Sequence, residues 1–336
     1  MVHQNLKTID ADQDLLVVNS NFLSYPDSPW YRLWIFELVG AFYLWFAGLA
    51  LVLLIAVGWL KLTLERNSLR GILAIALTFY ASTILPWYLP QSQAIEQGTP
   101  LTVMTYNVNH KQWDLEQVAT TVRLPEAVRR AQSHPVDIFS LVEPNKEQAA
   151  ALREALRDLY PYYYRATGGG SSLFSRYPIQ SPRTENFGAQ DHSLVANFEI
   201  ANQSIQVIVT HPFVPRSRSY FQRRNELIAA IAQYARQNPT QPLIVMGDFN
   251  ATSWSAYVRN FERVSGLRNV ALGYGLKSTW FYWGTNQPFS LESCIKQLFK
   301  IPIDHIFVSP DLNVDQVKVL PSGASDHRPI LTQIRL

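Results

Sequence analysis

The chain has almost no cysteine: Cys294 is the only one in 336 residues. One thiol excludes an internal disulfide and a thiolate metal cluster, so any metal must be held by oxygen and nitrogen ligands. It leaves the redox compartment open. Net charge is also small, at +3, which excludes a strong field toward nucleic acid or anionic lipid from the total charge. Internal repeats and low-complexity segments are absent. Charge itself is missing from two long stretches. Leu33 to Leu60 carries Glu37 as its only charge, and Gly71 to Leu89 carries none.

At 1.5 Å per residue, about 20 apolar residues cross a hydrocarbon core of about 30 Å. The two stretches therefore predict a two-helix transmembrane hairpin, with spans at 33–60 and 71–89. Trp30, Tyr31 and Trp34 flank one end and Trp87 and Tyr88 the other, as suits headgroup depth. Buried core helices would show polar interruptions at this length. The tail 1–32, with Asp10, Asp12, Asp14 and Asp27, is too long and too acidic for the n-region of a signal peptide, and no role is assigned to it. Lys61, Arg66 and Arg70 lie between the spans, whereas only Arg32 precedes them closely and Lys111 is the first basic residue after them. Basic loops stay in the cytoplasm. Both chain ends are thus expected outside, on a multi-pass protein of the bacterial inner membrane with a periplasmic or extracellular C-terminal domain.

Residues 91–100 read as a linker, and 101–336 as one soluble domain. Apolar β-type runs recur at Leu101–Tyr106, Ile138–Leu141, Ile205–Thr210, Leu243–Met246 and Ile303–Val308, with helical spacing at Gln148–Leu159 and Phe221–Tyr234. A mixed α/β domain with much antiparallel pairing is predicted. Polar residues follow the runs: Asn107, Glu143, His211, Asp248 with Asn250, Asp304 with His305, and finally Asp326 with His327. Alone, each has an ordinary explanation. Asn107 could cap a turn, Glu143 before Pro144 could be a solvated strand end, His211 before Pro212 could be structural, and Asp304 and His305 could be a surface pair.

Together they form the inventory of metal-dependent phosphoester hydrolysis. A hard cation such as Mg²⁺ takes oxygen ligands and neutralises phosphate. A carboxylate orients or deprotonates the attacking water, and a histidine donates to a phosphate oxygen or the leaving group. Asp248 and Asn250, two apart, would share a side of extended backbone. Asp326 and His327, being adjacent, need a loop or turn to line one pocket.

Thr105-Tyr106-Asn107-Val108, Leu141-Val142-Glu143, Ser175-Arg176-Tyr177-Pro178-Ile179, Thr210-His211-Pro212, Gly247-Asp248-Phe249-Asn250-Ala251-Thr252, Ile303-Asp304-His305 and Ser325-Asp326-His327-Arg328-Pro329 resemble the ordered motifs of the endonuclease/exonuclease/phosphatase superfamily. The resemblance runs from about Leu101 to Leu336. It implies a four-layer α/β sandwich, two mixed β-sheets flanked by helices, behind the hairpin. It implies Asn107 and Glu143 as ligands of Mg²⁺ or Mn²⁺, with Asp326 near that ion or a second one. Asp248 would activate water, Asn250 bind a phosphate oxygen, His327 contact the phosphate under orientation by Asp304, and His211 assist the leaving group. Val142 stands where glutamine is commoner in the motif, and the glutamate is kept. Arg216, Arg218, Arg223 and Arg224 form a basic cluster; Arg223 resembles a helix-start element of the family, and the others read as a solvated face ahead of a substrate clamp.

From Leu101 onward, 24 basic and 19 acidic residues leave +5, a weak field for duplex DNA. Trp254, Trp280, Phe281, Tyr282 and Trp283 could stack on bases, meet lipid or pack in a core. Tethering raises the effective concentration of a domain near lipid. The expected substrate is therefore a lipid-linked phosphate or another envelope phosphoester. A surface nuclease acting on nucleic acid and a catalytically silent tethered binding module are the alternatives.

Overall fold

The computed structural model describes residues 34–59, 65–90, 98–123, 136–168, 170–281, 300–323 and 325–336. The tail 1–32, the loop residue Lys61, linker positions 91–97, Tyr282, Trp283 and Cys294 lie outside the described residues.

The first apolar stretch is not one helix. It forms α1 (Trp34–Gly40), a turn at Ala41 and Phe42, and α2 (Tyr43–Trp59). The break has a physical cause. The Gly40 carbonyl accepts a hydrogen bond from Trp254 Nε1 at 2.8 Å, and Glu37 is pinned by Arg224 and Ser255. α1 therefore docks on the α/β domain instead of continuing. α2, at 17 residues, is about 25 Å long. The second stretch forms α3 (Glu65–Ile84) and runs on into a short 3₁₀ turn at Leu85–Trp87. The segment Asn67–Trp87, with mean hydropathy 1.5, is long and apolar enough to cross a membrane, and among the described residues it is the one helix that meets that length. The expected pair of full spans is thus corrected to one helix of spanning length beside a shorter apolar one. The two pack antiparallel through Ala50, Val57 and Leu73, and Tyr43 meets Tyr80 edge-on at 4.4 Å.

From Pro100 the chain forms β1 (Pro100–Asn107), α4 (Leu115–Arg123), β2 (Ile138–Val142), α5 (Lys146–Ala155), β3 (Tyr162–Arg165), β4 (Ser172–Ser175), β5 (Gln180–Glu185), β6 (Ser193–Ile200) and β7 (Gln203–Thr210). It continues as α6 (Arg218–Gln237), β8 (Leu243–Asp248), α7 (Ala256–Ser265), β9 (Arg268–Asn269), β10 (Trp280–Phe281), β11 (Lys300–Ile301), β12 (Asp304–Val308), β13 (Asn313–Val319) and β14 (Ile330–Arg335). Two six-stranded mixed sheets result, in the orders β13-β14-β1-β2-β4-β3 and β5-β6-β7-β8-β12-β9.

Alternation along the strands makes the layers. Leu101 and Val103 of β1 face Val207, Ile244 and Ile306 of the second sheet in the central core, while Met104 and Tyr106 face outward onto Val118 of α4 and Leu152 of α5. On the other side, Ile208 and Val245 pack on Leu227 and Ile228 of α6 and on Val258 and Phe261 of α7. This is the four-layer sandwich the motifs imply. Strands buried on both faces read as unbroken apolar runs, which is why β1, β2, β8 and β12 were visible in the sequence.

Pairing direction then places the chemistry. β1 runs parallel to β2, and β7 parallel to β8. Asn107, Glu143, His211 and Asp248 each sit at or just past the C-terminal end of one of these strands, so both sheets deliver them to the same edge of the sandwich. β12 enters from that edge antiparallel to β8, with Asp304 opposite Asp248. Gly247 makes the register possible. Its φ is +145°, and a Cβ there would lie 1.9 Å from the Thr210 carbonyl oxygen. Gly247→Ala is expected to cost about 3 kcal/mol or more, through forbidden backbone and a backbone clash together. Thermal unfolding followed by circular dichroism checks it; an unchanged midpoint would show that β7 and β8 can separate freely.

Candidate active site

Three loop positions at the sandwich edge hold non-glycine residues in the left-handed region: Asn109 at φ 42°, Glu143 at φ 67° and Asn250 at φ 49°. Such backbone persists where the surroundings over-determine it, commonly at functional sites. At Asn250 the turn is tied by its own amide, which donates to Asp248 Oδ1 at 2.8 Å. This corrects the extended spacing expected for Asp248 and Asn250. They meet the cleft because the chain turns after the strand.

Asp248 stands at the centre and is fully buried, 1% exposed. Asn107 Nδ2 donates to Asp248 Oδ2 at 3.0 Å and to Glu143 Oε1 at 3.1 Å. His211 Nε2 lies 3.4 Å from Glu143 Oε1 and 3.7 Å from Asp248 Oδ2. His327 Nε2 approaches the same Asp248 oxygen at 3.7 Å, while its Nδ1 donates to Asp304 Oδ2 at 2.8 Å. The Asp326–His327 bend forms as expected. Ser325 Oγ donates to the Asn107 carbonyl and accepts from the His327 amide, locking the loop to the end of β1. All eight sequence-derived site residues converge. Asn250 turns its Nδ2 partly away, donating to the Pro212 carbonyl at 3.0 Å.

Burial pushes the Asp248 carboxyl above the ordinary carboxylate range, and the Asp304 charge adds to this against His327 and His211. Burial alone would lower His327. The carboxylates of Asp304 and Asp248 overcome it and hold the imidazole protonated far above its usual range. His305, the other half of the Asp304–His305 motif, is different. It is buried away from the cleft, donates from Nε2 to the Ala251 carbonyl and accepts at Nδ1 from Asn269. Burial lowers it to about 4, as befits a neutral structural histidine.

Asn109 and His110 escaped the sequence reading, and Trp280 and Arg224 take parts it did not give them. Asn109 Nδ2 and Trp280 Nε1 hold the two oxygens of Asp326, at 2.7 and 3.0 Å. His110 Nδ1 lies 3.6 Å from Glu143. Arg224 corrects the solvated-face reading of the basic cluster: it is 1% exposed, donates to the Asn250 carbonyl at 2.7 Å and pairs with Glu37 at 2.8 Å. A signal existed. Phe221, Arg224, Ile228 and Ile231 share one helical stripe, so the 3.6-residue period marks Arg224 as inward-facing. Arg223, in contrast, pairs with Asp191 at 2.8 Å. Trp254 is in the core against Ile301 and Ile303 and is no stacking platform.

The donor chemistry suits a hard divalent cation. Glu143, His211 and Asp248 form one group of donor atoms within 4.8 Å, and Asp248, Asp304 and His327 another. His211 Nε2 and Asp304 Oδ1 are buried with no hydrogen-bond partner. Four carboxylates, those of Glu143, Asp248, Asp304 and Asp326, crowd one edge, and such crowding is unfavourable unless cationic charge is supplied.

Solved structures share this architecture. TDP2 from D. rerio, in complex with a single-strand DNA product, aligns with TM-score 0.56 at 17% identity, over 71% of this chain and all of that one. A beta toxin mutant from Staphylococcus aureus with bound magnesium ions aligns at 0.51 and 16%, over 70% and 99%. Sphingomyelinase C from Streptomyces griseocarneus aligns at 0.50 and 15%, over 70% and 99%. Among curated proteins, none matches the chain by sequence. The Endonuclease/Exonuclease/phosphatase family matches residues 104–327, from the middle of β1 to His327. The chain belongs to that family of phosphoester hydrolases.

Proposed function

We propose that the chain is a membrane-tethered phosphoesterase that hydrolyses a lipid-linked or other envelope phosphoester at the Asp248–His327 cleft. The observation that carries this reading is the junction of that cleft with α1 and the apolar hairpin behind it.

The positions of the side chains support the following roles. Glu143 and Asn107, with Asp326 beside them, would hold Mg²⁺ or Mn²⁺, which neutralises phosphate charge and favours departure of the leaving oxygen. Asp248, raised by burial, is placed to orient water and accept its proton. His327, kept charged by Asp304, is placed to donate to a phosphate oxygen. His211 lies across Asp248 from it and is placed to assist the leaving group. Asn250 and the backbone beside it complete the phosphate side.

The tether rests on surface chemistry. Val52, Ile55, Ile72, Ile75 and Phe79 of the hairpin point outward and are more than half exposed. A patch of this kind is untenable in water and suits lipid. Lys61 with Arg66 and Arg70 at the start of α3 supports a reading in which that end of the hairpin faces the cytoplasm and the hydrolase lies outside it. Protease shaving of spheroplasts tests this: the C-terminal domain should be digested in intact cells, and full protection would reverse the orientation.

Turnover of bis-p-nitrophenyl phosphate by the full chain in detergent should fall at least about 100-fold with chelator and return with Mg²⁺ or Mn²⁺. Chelator-insensitive turnover would remove the metal from the reading, and none at all would favour the silent module. A panel of single-stranded DNA, phospholipid and polyprenyl phosphate then separates substrates. Lys111 and Arg216, which line the same cleft, give the nuclease reading its footing, and cleavage of DNA alone would make it the correct one.

A further inference from the structure

The sequence left one feature without a role: Glu37, the lone charge of the first apolar stretch. A carboxylate there is costly unless it is paired. Its partner is Arg224, itself buried in α6, at 2.8 Å; the second Glu37 oxygen accepts from Ser255 Oγ at 2.5 Å. The same Arg224 donates to the Asn250 carbonyl of the catalytic loop. Trp254 Nε1 closes on the Gly40 carbonyl, and its ring lies 6.1 Å from that of Tyr43. The hairpin is fastened at its other end too, where the Gly275 amide donates to the Trp87 carbonyl at 2.6 Å. Because α2 and α3 are antiparallel, both fastenings lie at one end of the hairpin. The hydrolase domain is therefore clamped against the end of the lipid-facing helices.

This clamp shapes the cleft. A single cavity of about 930 Å³ contains His211, Asp248 and His327 at one side and Leu38, Ala41 and Phe42 of the α1 segment at the other. Ile301 and Ile303 join the apolar side, packed on Ala41 and Phe42. That volume lies at the upper end of the range for small-molecule sites, well beyond what a phosphoester head requires. The polar end matches a phosphate and its cation. The apolar end matches hydrocarbon and abuts a hairpin whose outer surface suits lipid.

We infer that the α1 segment is a structural part of the active site, and that the apolar wall it supplies through Leu38, Ala41 and Phe42 takes the hydrocarbon chain of a membrane amphiphile whose phosphoester lies at Asp248 and His327. This rests on the hydrolase reading and adds to it a chain subsite built from the membrane-proximal helix. Glu37 holds that wall in place through Arg224. The chain reaches the cleft from the bilayer along α1, so the head need not leave the membrane surface to react.

A series of alkyl p-nitrophenyl phosphodiesters, from methyl to dodecyl, tests this with the full chain in lipid nanodiscs. Only the chain varies, and p-nitrophenolate release reports every member. Each buried methylene is worth roughly a fourfold gain, so four buried carbons carry the dodecyl-to-methyl ratio of kcat/KM past about 100. Phe42→Asp, which puts charge in the wall, and Ala41→Trp, which fills it, should each lower that ratio at least tenfold. A wild-type ratio near one would overturn the chain subsite while leaving the hydrolase standing. A high ratio unchanged in both variants would overturn the part given to α1. No hydrolysis of any ester with Mg²⁺ or Mn²⁺ would instead defeat the underlying hydrolase reading.

Discussion

Asp248→Asn is expected to lower metal-dependent kcat by about three to four orders of magnitude and, at the same time, to raise the melting temperature. Asparagine keeps the shape and can keep the acceptor for the Asn250 amide, so the catalytic turn should survive. What is lost is the one carboxylate within 3.7 Å of both His211 and His327. The stability gain follows from the sign of the shift. Burial and Asp304 raise the folded pKa of Asp248 above its unfolded value. The folded state then binds more protons over the interval between the two values, so this group's stabilising contribution is lost as pH rises through it. Asn carries no charge to penalise and escapes that loss. Calorimetry and turnover on the same preparation decide the matter. Loss of activity with a lower melting temperature would mean a damaged fold, and retained activity would mean that Asp248 is not the water-activating group.

A second large effect is expected from Asp304→Asn: kcat/KM should fall about 100- to 1000-fold, and the alkaline limb of its pH profile should move to lower pH. Asp304 is 1% exposed, and its Oδ2 receives Nδ1 of His327. Against the cost of burial, the Asp304 and Asp248 charges raise His327. A protonated His327 is present below its folded pKa and lost as pH rises through it. Removing the nearer carboxylate lowers that pKa, so the donor disappears sooner. Orientation suffers too, because an amide no longer compels the proton onto Nδ1. The pH profile separates the two contributions: a uniformly lower profile with an unmoved alkaline limb would confine Asp304 to orienting the ring.

Much of this was legible along the chain because its physics is local. The strands that carry the site are buried on both faces, so β1, β2, β8 and β12 show as apolar runs, and the polar residues at one end of each run are the ones that face the cleft. Helices α5 and α6 show their 3.6-residue stripe. The turn after β8 was not legible. Two-residue spacing suggested an extended pair, whereas Asp248 captures the Asn250 amide and bends the backbone into the left-handed region. Arg224 lay on the apolar stripe and was masked by its charged neighbours Arg223, Arg218 and Arg216. The break between α1 and α2 was invisible for another reason. Ala41 and Phe42 are as apolar as their flanks, and the helix stops there because Trp254 and Arg224, more than 180 residues away in the chain, take hold of Gly40 and Glu37.

Composition and order were enough to determine that any metal is held by oxygen and nitrogen, that an apolar N-terminal region precedes a mixed α/β domain, and which eight polar residues gather at its cleft. Tertiary structure alone decided who their partners are. Asp304 meets His327 and Asn109 meets Asp326 because parallel pairing brings the ends of β1, β2, β7 and β8 to one edge and antiparallel pairing returns β12 and the loop before β14 to it. It alone decided that Glu37 is a clamp and not a stray charge in a span. Periodicity reports which face of an element is buried, whereas the contact that buries it depends on where distant segments arrive.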